Sequence, residues 1–352
     1  MRSALIALPI VLVASLMSGS ASTSSAGNST EASAGKRAVV IMSGGGAVSP
    51  FTTPTEACKA GLAAGNTDTA LREYLLAQGK QVFTAPASDT WGTVQEPAAD
   101  SFGAFGDCPI VLPEHMTVVS SSDINASGEH LARFISYLNT EYGITEVDFV
   151  GHSNGGLYSR AAIRIMKQTG SPVTVKSLTM LGTPNDGAFP TRFAAGEIGI
   201  DACVGNAFCE AFNKSWLKYV KTGDKGLNAE DTYNFMRTNG WNAAQAGYLD
   251  GIPVVLLAGT FWSEPKGDPE LWPYDGITSE YSALAESLGD EIIPHRACWS
   301  APLTHSIFVS DVAKLDWQTA LTWNTDALAR VNQAIDESDN ALSQPNRQGC
   351  PT

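Results

Sequence analysis

The chain has 352 residues, 43% of them hydrophobic, and a formal net charge of −14 at pH 7. That length and apolar content suit one large core or two modest domains. The acidity, with Lys and Arg only at scattered single sites, excludes nucleic acid and anionic membrane surfaces as electrostatic partners.

Residues 1–21 run from Arg2 through ALIALPIVLVASLM to the small-residue stretch SGSAS, the layout of a secretory signal peptide with cleavage expected after Ala21. The apolar run is shorter than the ~20 residues that span a bilayer, so no integral membrane segment is expected in the mature chain. Residues 22–36 are, apart from Glu31 and Lys36, Ser, Thr, Ala, Gly and Asn with little to bury, and read as a flexible lead-in. One domain is expected over 37–352, in a secreted protein. Its six cysteines (Cys58, Cys108, Cys203, Cys209, Cys298, Cys350) predict three disulfides. Six cysteines allow fifteen connectivities, and the preferred one joins Cys203 to Cys209, Cys58 to Cys108 and Cys298 to Cys350. With no C-x-x-C pair, metal binding is the weaker reading.

Taken in order, RAVVIM (37–42) is a buried strand running into Ser43-Gly44-Gly45-Gly46. Helical spacing follows at 70–78 and a strand at 81–85. Residues 87–113 have no period and read as an irregular surface excursion. After 116–120, Leu131, Phe134, Ile135 and Leu138 define a helix over 128–142. A strand at 146–150, a helix at 157–167 and a strand at 173–181 come next. Residues 188–250 break the alternation with aromatics and two cysteines, and read as a cap inserted into the domain. Strand character returns at 252–259, helix at 280–288, a last strand at 291–294 with 297–299, and helix over 312–335. Strands alternating with helices predict an α/β fold: a mostly parallel sheet with helices on both faces, and ligands bound beyond the carboxyl ends of its strands.

GHSNG (151–155) lies between the strand at 146–150 and the helix after it, and matches the G-x-S-x-G nucleophile elbow. The alternative is a glycine-rich turn in which Ser153 caps the helix. A serine nucleophile needs an imidazole base and a carboxylate to orient it. Of five histidines, His115 and His130 precede the serine and His152 is expected to point away from it. His305 follows the last strand and is favoured over His295, which falls within or just before that strand. Asp275 opens a D-G turn after the strand at 252–259 and is favoured as the acid, with Glu264 and Asp268 as alternatives.

DGITSEYSA (275–283) resembles the aspartate loop of secreted bacterial lipases. With GHSNGG, GTPNDGA and THSIF, it makes the chain similar, over roughly 37–335, to α/β-hydrolase-fold lipases and esterases of the class-2 type. The order Ser, Asp, His is the order of that fold. Such lipases usually carry His-Gly after the first core strand, where this chain has Ser43-Gly44-Gly45-Gly46. The resemblance implies an oxyanion hole from backbone N–H groups, here Gly45, with Gly46 next, paired with Asn154. It implies a serine hydrolase cleaving carboxylic esters through an acyl-enzyme, with no cofactor. Related lipases sometimes carry a structural calcium, but no cluster of oxygen ligands in this sequence points to one. The aromatics of 188–250 favour an apolar acyl or aryl group, or else form the cap's own small core. Acyl transfer to another alcohol, and a secreted binding protein without activity, are the rival readings.

Overall fold

A computed structural model of the chain describes residues 36–58, 67–94, 108–221 and 240–351. The expected signal peptide and the lead-in up to residue 35 lie outside the described residues, as do parts of 87–113 and of the insertion. No helix among the described residues is long and apolar enough to cross a membrane.

The apolar runs form a six-stranded sheet. Its strands are β1 (Arg37–Met42), β2 (Val82–Thr84), β5 (Glu146–His152), β6 (Thr174–Leu181), β7 (Val254–Gly259) and β8 (Arg296–Ala301). A second sheet pairs only β3 (Ala87–Ser88) with β4 (Val118–Val119). The main order is β2-β1-β5-β6-β7-β8, and every pairing is parallel. Parallel strands need crossovers, and α1 (Thr69–Ala77), α2 (Ile124–Tyr142) and α3 (Asn154–Thr169) each lie on one, while α8 (Thr325–Ala341) follows the last strand.

Alternation along the strands divides the apolar side chains between two cores. Val40, Met42, Phe149, Leu178, Met180 and Leu256 pack with Leu131, Phe134 and Leu138 of α2 and Leu157 and Ile163 of α3. Val39, Ile41, Val150, Leu181 and Leu257 pack on the other face with Leu71 and Leu75 of α1 and Leu328, Val331 and Ile335 of α8. Helices therefore cover both faces, as the alternation predicts. At the amino edge, Arg37 grips Asp148 of β5 through Nε at 2.6 Å and Nη2 at 2.8 Å, while Ser177 Oγ donates to the same carboxylate at 2.6 Å. The chain leaves β1 toward β2 on one side and returns through β5 on the other. The crevice between the carboxyl ends of β1 and β5 is thus a topological switch point, where sheets of this kind bind ligands.

Several expected elements differ. The last strand, expected over 291–294 with 297–299, is Arg296–Ala301, so it keeps 297–299 and loses 291–294, and the Arg296 side chain explains the loss. Buried Arg296 donates to the carbonyls of Ala285 at 2.6 Å, Leu288 at 2.7 Å and Gly289 at 3.1 Å, holding 285–293 as a loop. The helix expected over 280–288 is only α6 (Glu280–Ala283), because Ala285 turns left-handed at φ 53°. The helix expected over 312–335 is broken. A short α7 (Ile307–Val312) ends before Lys314 at φ 58°, and α8 begins afresh where Asn324 Oδ1 caps the N–H groups of Asp326 and Ala327 at 3.1 and 3.2 Å. Cysteine pairing is Cys58–Cys108, Cys203–Cys209 and Cys298–Cys350.

Candidate active site

One residue separates β5 from α3. Ser153 stands at φ 53°, ψ −132°, a region that costs a non-glycine residue on the order of 1–3 kcal/mol. Its hydroxyl makes no capping bond to α3, so the turn is not explained by capping. The flanking glycines are required by close approach. A Cβ on Gly151 would lie 2.5 Å from Gly156 N, and one on Gly155 only 2.1 Å from Met42 O. Ser153 N–H donates to Leu181 O at 2.8 Å, which sets the half-buried serine beside the carboxyl end of β6.

Asp275 and His305 meet over that same end. Asp275 is fully buried and divides its carboxylate. Oδ1 accepts the N–H groups of Ile277 at 2.9 Å and Thr278 at 2.7 Å, while Oδ2 accepts from His305 Nδ1 at 2.7 Å. The backbones are joined as well, since His305 N–H donates to Asp275 O at 2.9 Å. A carboxylate at Nδ1 assigns the proton to that nitrogen and leaves Nε2 as the acceptor. A Cβ on Gly182, the residue after β6, would lie 3.0 Å from both Asp275 Oδ2 and His305 Nδ1. Glycine at φ 57° is what lets the pair sit there.

The alternatives lie elsewhere. His295 directly precedes β8, and its carbonyl accepts from Val254 N at 2.8 Å, at the amino end of the sheet and away from Ser153. Glu264 accepts from Asn206 Nδ2 at 2.9 Å, and exposed Asp268 caps Glu270 N at 3.0 Å. The remaining two motifs touch each other: Asp186 N–H of GTPNDGA donates to Ser282 Oγ at 2.9 Å, and that hydroxyl donates to Gly187 O at 2.7 Å.

The glycine loop after β1 runs against the elbow. A Cβ on Gly44 would lie 2.6 Å from Ser153 Cβ, and one on Gly45 2.6 Å from Asn154 Nδ2. Gly46 N–H is committed to Ser120 O at 3.1 Å. Among the described residues, the amides of Gly45 and Asn154 have no backbone acceptor, and Asn154, as the first residue of α3, is one of the helix's free donors. Aromatic rings flank the Asp275–Gly276 turn. Phe208 stacks on Trp262 with centroids 4.1 Å apart, and a Cβ on Gly276 would lie 2.9 Å from Trp262 Cζ3. Phe208 belongs to α5 (Ala207–Lys221), which follows α4 (Phe189–Ala194) and the Cys203–Cys209 bridge. Beneath, Phe189, Cys203, Cys209, Leu271, Trp272 and Tyr274 make a small core of their own. Among the described residues there is no group of three or more His, Cys, Asp or Glu that could hold a metal ion.

Two residues behind the site escape the sequence reading. His152 does turn from Ser153, but its Nε2 lies 2.9 Å from His305 O and its ring 4.8 Å from the His305 ring. Its Nδ1 faces Thr67 Oγ1 at 3.4 Å and Asp68 Oδ1 at 3.9 Å. Burial pushes the Asp68 carboxyl up to about 6, against hydrogen bonds from Ser43 and Thr67 that lower it. Burial, with the neighbouring His305, pushes His152 down to about 3. Nothing in the sequence pattern distinguishes Asp68 from the chain's solvated acids.

Residues 116–195, from the strand before α2 through the elbow to α4, match the model of a family described as an α/β hydrolase of unknown function (DUF915). Two curated relatives are triacylglycerol lipases. That of Pseudarthrobacter phenanthrenivorans is 28% identical over 123 residues, 34% of this chain and 37% of the relative. That of Burkholderia plantarii is 28% identical over 123 residues, 34% of this chain and 33% of the relative. The matched segment thus spans about a third of each relative's length. The solved lipase BlEst2 of Bacillus licheniformis, in its propeptide form, is 12% identical with a TM-score of 0.48, covering 90% of this chain and 52% of its own. With its parallel sheet, helices on both faces and strand-serine-helix elbow, the chain is an α/β-hydrolase-fold protein similar, over about a third of its length, to bacterial triacylglycerol lipases.

Proposed function

We propose that this protein is a secreted serine hydrolase that cleaves carboxylic esters through an acyl-enzyme. The observation that carries the reading is the 2.7 Å bond between Asp275 and His305 beside a serine held at positive φ. Ser153 Oγ passes its proton to His305 Nε2 and attacks the ester carbonyl carbon. The oxyanion so formed accepts from the N–H groups of Gly45 and Asn154, worth on the order of 3 kcal/mol for each donor. His305 then gives the proton to the leaving oxygen, the alcohol departs, and the acyl group stays on Ser153. Water attacks this ester while His305 takes its proton, and the acid leaves as the proton returns to Ser153. Asp275 keeps the imidazole in the required tautomer and stabilises the transient imidazolium.

The stacked pair of Phe208, within a cap spanning about 188–250, and Trp262, beyond it, favours an ester with an apolar acyl or aryl group. Three disulfides with no free cysteine among the described residues support an oxidising, exported setting. Hydrolysis of p-nitrophenyl esters by the purified chain, lost in Ser153→Ala, tests the reading. Transfer to added glycerol outrunning hydrolysis would instead make it an acyltransferase, and turnover undiminished in Ser153→Ala would overturn it.

A further inference from the structure

Asp68 immediately precedes α1, where a carboxylate ordinarily caps the first turn. It makes no such bond. The side chain is fully buried and turned inward, accepting from Ser43 Oγ and, at 3.3 Å, from Thr67 Oγ1. Ser43 itself is buried, its Oγ 2.7 Å from Ser49 Oγ, and is the residue from which Gly44 and Gly45 depart. On the other side of the carboxylate stands His152. Because its Nε2 faces the His305 carbonyl, that nitrogen carries the proton and donates, while Nδ1 is the bare nitrogen toward Thr67 and Asp68. With its affinity for a second proton lowered by burial, His152 stays neutral, so the donor is fixed. His305 is thereby held at three points: side chain and N–H by Asp275, carbonyl by His152.

A buried carboxylate and a buried imidazole are each costly, and neither touches the groove where substrate would sit. We propose that Asp68 and His152 are a buried pair of positioning residues, not bonded to each other: Asp68 anchors the glycine loop after β1 through Ser43, His152 holds the carbonyl of His305, and together they fix the oxyanion donors and the base. This rests on the assignment of Ser153 and His305 given above. Its physical content is geometric. Without the His152 donor, the His305 carbonyl is left unpaired and the segment carrying the imidazole is free to shift. Without Asp68, Ser43 keeps only Ser49 as a side-chain partner, and the glycine loop that departs from it is held less firmly. A misplacement of about 1 Å costs on the order of a hundredfold in rate, and the loss falls on kcat, because neither residue contacts the ester.

The test is steady-state kinetics on p-nitrophenyl butyrate with the full mature chain, together with the rate of fluorophosphonate labelling and circular dichroism. His152→Phe fills similar space without a donor and should lower kcat about 10- to 100-fold with KM within about twofold. His152→Gln should restore kcat to within about fivefold of wild type, since its amide N–H reaches the same carbonyl. Asp68→Ala should resemble His152→Phe, and Asp68→Asn, whose amide can turn its carbonyl oxygen to accept from Ser43, should recover. If His152→Phe fails to fold, the Asp68 pair carries the same comparison. A folded His152→Phe within about twofold of wild-type kcat, or conservative variants no better than the disruptive ones, would overturn the positioning role. A Ser153→Ala variant that still turns over would instead strike the underlying assignment, so the two failures are told apart.

Discussion

Changing Asp275 to Asn separates the chemistry of the proposed triad from its architecture. The two Asp275 oxygens have different tasks, Oδ1 taking the N–H groups of Ile277 and Thr278 and Oδ2 taking His305 Nδ1. Asparagine keeps the first arrangement, because its carbonyl oxygen accepts both amides and the turn survives. It inverts the second. The amide Nδ2 presents N–H groups to Nδ1–H, so the imidazole must move its proton to Nε2, the nitrogen that has to accept from Ser153. The expected result is a fall in kcat of about 10⁴. Unfolding free energy should change little, within about 1 kcal/mol, whereas Asp275→Ala strips acceptors from two buried amides and should cost about 1–3 kcal/mol for each. Turnover of p-nitrophenyl esters and urea unfolding of the same preparations decide it. If Asp275→Asn stays folded and within tenfold of wild type, Asp275 is not the orienting acid.

Gly155→Ala drives a Cβ against backbone, 2.1 Å from Met42 O and 2.7 Å from Ser43 O, and should destabilise by about 1–3 kcal/mol or more, read as a lowered urea midpoint. His295→Ala should leave the rate per folded molecule within about tenfold, or ~1.4 kcal/mol of barrier, because His295 lies at the sheet's amino end; a dead but folded variant would move the base assignment. The raised Asp68 carboxyl gives a pH signature. With its folded value about 6 against 3.8 ordinarily, its contribution to stability is fully present below about 3.8 and is lost as pH rises through 6, a total on the order of 3 kcal/mol. Asp68→Asn lacks this dependence, so its stability relative to wild type should rise by about that amount between pH 4 and 7 in urea titrations. A pH-independent difference would show that Asp68 is not protonated more readily in the folded state.

The core strands were legible because parallel strands buried on both faces read as continuous apolar runs, as in RAVVIM and VVLLAG. The elbow was legible for a steric reason: two glycines at fixed spacing mark close backbone approach whatever packs around them. The boundaries of β8 were not. Ile292 and Ile293 look like strand and Arg296 does not, yet the guanidinium satisfies loop carbonyls that no local pattern anticipates. Asp68 and His152 were hidden for the same kind of reason. In the sequence one is an acid among many and the other a histidine in a motif, and only the fold brings Ser43, Thr67 and His305 to their sides. Among the described aromatics of the insertion, Phe189 joins a small core with Leu271, Trp272 and Tyr274, Phe208 stacks on Trp262 beside the Asp275 turn, and Trp241 packs into the main core. Helical spacing alone does not separate those uses.

The reaction proposed here depends first on Ser153 being the group that is acylated. Incubating the purified chain with a fluorophosphonate and mapping the adduct by mass spectrometry tests this directly. A single stoichiometric adduct on Ser153 is expected, formed as activity is lost, absent in Ser153→Ala and slowed in His305→Ala by on the order of 10⁴ or more. An active protein that takes no label, or carries it on another serine, would contradict the assignment.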